Sequence, residues 1–411
     1  MRHEPSLEAA VPLSADDAAR LHMAVRTNPM VIVAVLVLAT PPDERQLVEA
    51  LESRLPARFR RRIVDSRFGV ARWTDTGFAA RAHVTRVAAG DRSLEAIVHE
   101  VMNAPLRRDR PLWDIHLVGG ERPALLFRAH HALADGARLL EVLGLLGDEP
   151  PPPGIERGAA RSRARLGLPL RAWHLVRGLR GAAALALRKP DPDSPLHARL
   201  RGRKRVAISN AMDLAGVVEH AHRAGASTMA GLLAAVAGAL HHAMRFDAKL
   251  TLHALVPVPT AAVTGEAGNR FASVFVPLPV GEVGRDERIR AIQRALSSAR
   301  RRAPAAARIV EAAGVATAAI ERLGVRALSR RASLMVSNVR GPEQRIRIAG
   351  ALVTDMVAFA PSAGRIALGV TFMSYAGRLR AAVAIDASVA ADPRVLAERI
   401  AAELAPASGR A

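Results

Sequence analysis

Two histidines stand side by side in HHALADG, residues 130–136, with Asp135 and Gly136 closing the motif. A neutral imidazole near pH 7 is the usual side chain for taking a proton from a hydroxyl, because its pKa lies close to that pH. A carboxylate four residues on can orient the loop through an ion pair, and a glycine permits a tight turn into the next element. On an extended backbone adjacent side chains point to opposite faces, so His130 and His131 cannot both face one cavity. One is expected to be buried against structure while the other reaches the site. The structural alternative is that Asp135 merely caps a helix beginning at Ala137 and the histidines are satisfied core residues. A second pair, His241 and His242, lies inside a helical stretch with no Asp-Gly after it. Paired histidines alone therefore do not make a site.

The elements around the motif decide more. PALLFRAHH is apolar and reads as a buried strand, whereas ARLLEVLGLLG has apolar residues at helical spacing and predicts a helix ending near Gly147. The motif thus sits where a strand gives way to a helix. Upstream, NPMVIVAVLVLAT is a β-branched run expected to form a central strand, followed by the amphipathic helix ERQLVEALESRL. Short strands in GVARWTD and AARAHVTRVAA, a helix in LEAIVHEVMNAPL and a strand in WDIHLVGG complete the first half. Four prolines at 150–153 can continue neither helix nor ladder and mark a boundary. The second half, from Lys204, repeats the style with strands, helices and a closing helix after Asp392. The expected architecture is α/β, layered in the α+β manner: residues 1–148, a Pro/Arg-rich linker at 149–203, and residues 204–411.

Composition narrows the chemistry. The 411 residues contain no cysteine, which excludes disulfides, thiolate metal sites and a cysteine nucleophile. A formal net charge of +21 favours encounters with anions: nucleic acid, an anionic membrane, or a phosphorylated substrate such as coenzyme A. A generally basic surface without a specific partner accounts for the charge equally well. The amino terminus has acidic residues and no apolar core of a secretory signal. The uncharged stretch AGASTMAGLLAAVAGALHHAM is rich in small residues and is expected to be a buried helix, not a membrane span. A soluble or peripheral protein is expected, and specific nucleic-acid binding ranks last for want of a motif or an aromatic platform.

HHALADG does not stand alone. RTNPMVIVAVLVL, RPLWDIHLVGG, GNRFASVFVPLPVG, LMVSNVRGP and GRIALGVTFMSYAGRLRAAVAIDASVAADP accompany it in order. Together, from about Leu13 to Leu404, they resemble the bacterial wax ester synthase/acyl-CoA:diacylglycerol acyltransferase family. The resemblance implies two chloramphenicol-acetyltransferase-like domains arranged as a pseudo-dimer, with a tunnel between them. It implies His131 as base, with His130, Asp135 and Gly136 supporting it. Pro111, Leu112 and Trp113 match the family's PLW segment near the acyl-binding region, while Asn269, Ser337 and Asn338 match segments assigned to substrate binding. Core packing of Trp113 and a purely backbone role for the Ser-Asn-Val turn remain equally open. The chain departs from the family at Met229 and Ala230, where an Asn-Asp pair is usual, and at Arg340, where proline is usual.

The resemblance implies acyl transfer from acyl-CoA to a long-chain alcohol or diacylglycerol, giving wax ester or triacylglycerol. Acyl-CoA enters as a substrate; neither a cofactor nor a metal is implied. A relative that binds acyl-CoA or lipid with weakened catalysis, or one that acylates another hydroxyl, is the alternative. A cytoplasmic enzyme resting on an anionic membrane or lipid-body surface is expected, with the arginine-rich linker as the contact.

Overall fold

The computed structural model describes residues 10–64, 71–75, 77–149, 189–244, 246–247, 249–259, 271–281, 283–313, 329–362 and 364–405. The Pro/Arg-rich segment 150–188 and Asn269 lie outside the described residues.

The run VIVAVLVL forms the strand Val31–Leu38, almost wholly buried, and pairs antiparallel with Ala124–His130, all of whose residues are buried. Strands covered on both faces read as continuous apolar runs, which is why both stretches lack alternation. Around them a six-stranded sheet runs in the order Arg347–Ile348, Ala351–Phe359, Val31–Leu38, Ala124–His130, Trp113–Val118, Val84–Val87. Val84–Val87 and Trp113–Val118 are parallel and are joined through the helix Leu94–Asn103, whose Ser93 cap accepts the N–H of Ala96 at 3.2 Å. Val11–Pro12, Arg72–Asp75 and Arg61–Val64 make a separate small sheet.

The second sheet runs Phe271–Pro279, Thr251–Pro259, Leu334–Arg340, Leu368–Tyr375, Arg378–Asp386, Lys204–Ile208, with Met212–Asp213 also against Arg378–Asp386. The helix Thr228–Met244 packs on it, buried continuously from Ala230 to Leu240. Among the described residues no single helix is long and apolar enough to cross a membrane.

The sheets do not follow a simple division of the chain at residue 204. After Arg340 the chain leaves the second sheet, and Ala351–Phe359 pairs antiparallel with Val31–Leu38 of the first before Leu368–Tyr375 returns. The sequence concealed this because an apolar strand names no partner. Tyr375 anchors the excursion: its hydroxyl donates to the Val353 carbonyl and accepts the Ile346 N–H, both at 2.9 Å. Apolar packing then spans the halves, with Val33, Val35 and Phe359 in one cluster with Ala382 and Ala384. The halves are interlocked.

Candidate active site

The strand Ala124–His130 ends at the first histidine, and both neighbours fix that end. The His130 N–H donates to the Leu112 carbonyl at 2.9 Å, and the His131 N–H donates to the Met30 carbonyl at 2.7 Å. Met30 is buried and has φ 57°, a left-handed conformation that costs energy in a non-glycine residue. The turn tightens at once: Leu133 N–H donates to the His130 carbonyl at 2.8 Å, and Ala132 N–H donates to His130 Nδ1 at 3.1 Å. Arg58 Nη2 donates to the Ala132 carbonyl at 2.5 Å while pairing with Asp17. His130 therefore spends one ring nitrogen on its own turn.

Exposure does not separate the two imidazoles. His130 is 5% and His131 6% exposed, so exposure does not tell which of the two faces the site. The cause is the strand's central position, which encloses both faces. Their roles differ by partners instead. Burial, then the charge of Arg108, lowers the His130 pKa to about 4. Burial, then the charge of Arg20, lowers that of His131 well below its ordinary value. Both rings are neutral at pH 7, the form that accepts a proton.

Asp135 is the N-cap of the helix Gly136–Leu145, and its Oδ1 accepts the Arg138 N–H at 2.8 Å. The capping reading is thus realised within the motif. Gly136 begins the helix and is not among the residues with positive φ, so the turn does not demand glycine there. A Cβ on Gly136 would stand 3.5 Å from Val339 Cγ2, an ordinary contact. Val339 belongs to the strand Leu334–Arg340, so Ser337, Asn338 and Val339 are strand and not turn, and this strand abuts the motif from the second sheet. At Gly341 the chain cannot carry a side chain without shifting: a Cβ would lie 2.3 Å from the Ser374 carbonyl oxygen, whose acceptor role toward the Gly341 N–H begins the excursion.

Three supporting residues were not identified from sequence. Asp114 and Arg128 face each other across neighbouring strands and form a two-bonded ion pair, Nε–Oδ1 2.7 Å and Nη2–Oδ2 2.5 Å. Arg128 also donates to the carbonyls of Val101 and Ala104, at 2.5 and 2.7 Å, tying the histidine strand to the helix beneath it. An arginine inside the apolar run ALLFRAHH was the available signal. Asn28, buried, donates to the carbonyls of Gly364 and Ile366 at 2.6 and 3.4 Å and clamps the Met30 turn to the second half.

The remaining sequence candidates divide. Leu112 lines a pocket of about 230 Å3 with Leu21, Arg62, Ile63, Val64 and Arg108. Since its carbonyl also holds His130, this pocket lies beside the motif. Pro111 is buried, and its carbonyl accepts the Trp113 N–H at 2.8 Å. Trp113 is 1% exposed; its indole N–H donates to the Phe59 carbonyl at 2.6 Å and its ring stacks on His83 at 4.2 Å. It is a core residue, as the packing alternative had it, because a buried indole needs a partner for its N–H and found one in backbone. Ser337 is buried and donates to Thr371 Oγ1 at 3.3 Å, whereas Asn338 is exposed. Ala230 is fully buried in the second core and Met229 packs against it.

The architecture of two interlocked sheets with a strand-to-helix histidine motif defines a fold shared with solved acyltransferases and condensation domains. A wax ester synthase/diacylglycerol acyltransferase from Marinobacter aquaeolei aligns with a TM-score of 0.70 at 21% identity, over 96% of this chain and 98% of that one. The first condensation domain of the calcium-dependent antibiotic synthetase aligns at 0.62 and 16% identity, over 97% and 96%. At such identities these likenesses speak to fold. Sequence carries the family. Residues 13–279 match the wax ester synthase/diacylglycerol acyltransferase catalytic domain and residues 267–406 the family's C-terminal domain. The chain belongs to this family and is an acyltransferase. The probable diacylglycerol O-acyltransferase tgs1 of Mycobacterium tuberculosis is 26% identical over 452 residues, covering 97% of this chain and 94% of that protein. A provisionally named diacylglycerol O-acyltransferase of the same organism is 29% identical over 358 residues, covering 78% and 76%.

Proposed function

We propose that the protein transfers a fatty acyl group from acyl-CoA to the hydroxyl of a long-chain alcohol or diacylglycerol, with His131 as general base. The observation that carries this reading is the neutral, enclosed His131 whose backbone is fixed by Met30, at a motif met by both sheets. An imidazole nitrogen of His131 takes the hydroxyl proton as the acceptor oxygen attacks the thioester carbonyl. The tetrahedral intermediate then collapses, the carbon–sulfur bond breaks, and the proton passes to the leaving thiolate. No acyl-enzyme is needed, in keeping with a chain that lacks cysteine. Burial makes an isolated imidazolium costly. Here it forms beside the developing oxyanion, so the pair is neutral overall and each charge stabilises the other.

Acceptor-dependent release of free thiol tests the reading: palmitoyl-CoA with hexadecanol, and separately with diacylglycerol, should give CoA and the matching ester. Saturable acyl-CoA binding without thiol release from any acceptor would instead mean a binding protein. Met229 and Ala230 are the observation favouring that second reading, since neither brings a polar side chain to the start of its helix. Restoring an Asn-Asp pair is a poor test of it. Ala230 is fully buried among apolar groups, and an unpaired carboxylate there would destabilise the core.

The implied products are lipids, and the reading places the enzyme in the cytoplasm, bound peripherally to an anionic membrane or lipid-body surface. The run of arginines between 157 and 203 supports this, with attraction of about 1 kcal/mol per basic residue near an anionic leaflet.

A further inference from the structure

The second histidine pair, which has no Asp-Gly after it, borders a feature of its own. His241 and His242 end the helix Thr228–Met244, where it meets the start of Arg285–Ala313 and the end of Pro393–Leu404. Between these three helix ends lies an open groove of about 600 Å3, lined by both histidines and by Arg285, Arg288, Arg399 and Glu403. Its volume falls in the range of small-molecule sites, roughly 300–1,000 Å3.

The charges in the groove do not balance. Glu403 is the single carboxylate lining it, and it is shared: Oε2 lies 3.5 Å from Arg288 Nη1 and Oε1 lies 3.6 Å from His242 Nε2. Among the described residues neither Arg285 nor Arg399 forms an ion pair, although Arg285 donates to the Ala405 carbonyl at 3.1 Å and feels the charges of Glu403 and Asp286. Arg288 has a side chain only 5% exposed; Nη2 donates to the Val283 carbonyl at 2.8 Å, and buried Nε has no partner among the described residues. Burying a guanidinium without full pairing costs stability, and a bound anion is one of the ways such a group is completed. The backbone makes room for this one. A Cβ at Gly238 would stand 2.4 Å from Arg288 Nη1 and 2.4 Å from the Glu403 carboxyl carbon. The helix Thr228–Met244 therefore carries glycine where the Arg288–Glu403 pair crosses it.

We propose that this groove is a second ligand site, apart from the His131 motif, that binds a phosphate-bearing anion through Arg285, Arg288 and Arg399. Once Glu403 is matched with Arg288, two guanidinium charges remain, which suits a phosphomonoester or diphosphate better than a monocarboxylate. Guanidinium groups favour phosphate oxygens because their paired N–H bonds match the geometry. The phosphate can belong to a soluble molecule or to a phospholipid headgroup, and two arms of one experiment separate these.

The full chain is titrated by calorimetry with inorganic pyrophosphate at constant ionic strength, and by co-sedimentation with phosphatidylcholine vesicles with and without phosphatidic acid. Saturable pyrophosphate binding supports a soluble ligand; binding confined to phosphatidic acid vesicles supports a headgroup. In either arm Arg285→Gln and Arg399→Gln should each weaken binding about tenfold, the loss of one charge-assisted hydrogen bond. Glu403→Gln should tighten it, an effect that a damaged fold would not produce. Arg45→Gln, which removes an arginine with a side chain 88% exposed in the other half of the chain, controls for general charge and should change nothing. Acyl transfer should persist in all four variants. Absence of saturable binding in both arms, or an equal loss from Arg45→Gln, overturns the proposal.

Discussion

The carbonyl of Met30 holds the N–H of His131 at 2.7 Å, and Met30 does so from a left-handed backbone at φ 57°. The strained residue and the histidine are thereby one unit: the turn before the strand Val31–Leu38 sets where the imidazole stands.

Met30→Val puts a β-branched side chain at that positive φ, where it fits poorly. Urea unfolding should show a loss of about 1–3 kcal/mol, and kcat should fall while KM for acyl-CoA holds. Unchanged stability and turnover would mean that the turn is not under strain and does not position His131.

Removing Asp114 strands Arg128, whose side chain is 3% exposed. Asp114→Ala should cost about 3–5 kcal/mol, the penalty for an uncompensated buried charge. Replacing both residues with apolar ones of similar volume should cost much less. If the single change costs no more than the double one, the pair is not what ties the histidine strand down.

These residues show how far the sequence could be read. The histidine motif and its strand-to-helix setting were legible because hydrophobic period and turn chemistry are local properties. Asp114–Arg128 and Asn28 were not, since their partners lie on other strands or more than 300 positions away. The excursion of Ala351–Phe359 into the first sheet was hidden for the same reason: its pairing is written in register, not in composition. Trp113 was ambiguous because a buried aromatic looks alike in sequence whether it lines a substrate or a core. The His241–His242 pair carries no such signal in sequence because the cationic groove it borders assembles from three helix ends far apart in the chain.

The lowered histidine pKa values fix the sign of the pH dependence. Below about 6.5 the unfolded chain takes up protons that buried His130 and His131 refuse, so stability falls as pH falls. Each histidine contributes a slope of about 1.4 kcal/mol per pH unit, and for His130 the slope ends near about 4, where the folded form also protonates. Denaturation between pH 7 and 5 measures it, and His130→Gln should flatten the slope. The acid limb of kcat/KM should lie below 6.5, because His131 remains neutral there; a limb above 7 would contradict its lowered pKa.

The membrane proposal has its own measurement. The protein should co-sediment with liposomes containing anionic lipid, weakly or not at all with neutral ones, and release as salt approaches molar concentration. Replacing Arg161, Arg163, Arg165, Arg171, Arg177 and Arg180 with Gln should sharply reduce the difference. Equal binding to neutral and anionic vesicles, or binding untouched by those replacements, would remove the linker from the account.

The most direct test of the central claim is turnover by His131→Ala, with folding verified by thermal unfolding. Purified variant and wild type are compared for CoA release from palmitoyl-CoA with hexadecanol and with diacylglycerol. Loss of a general base predicts a fall of about two to four orders of magnitude with acyl-CoA binding retained. A folded His131→Ala protein that releases CoA as fast as wild type would contradict the assignment of His131 as the base.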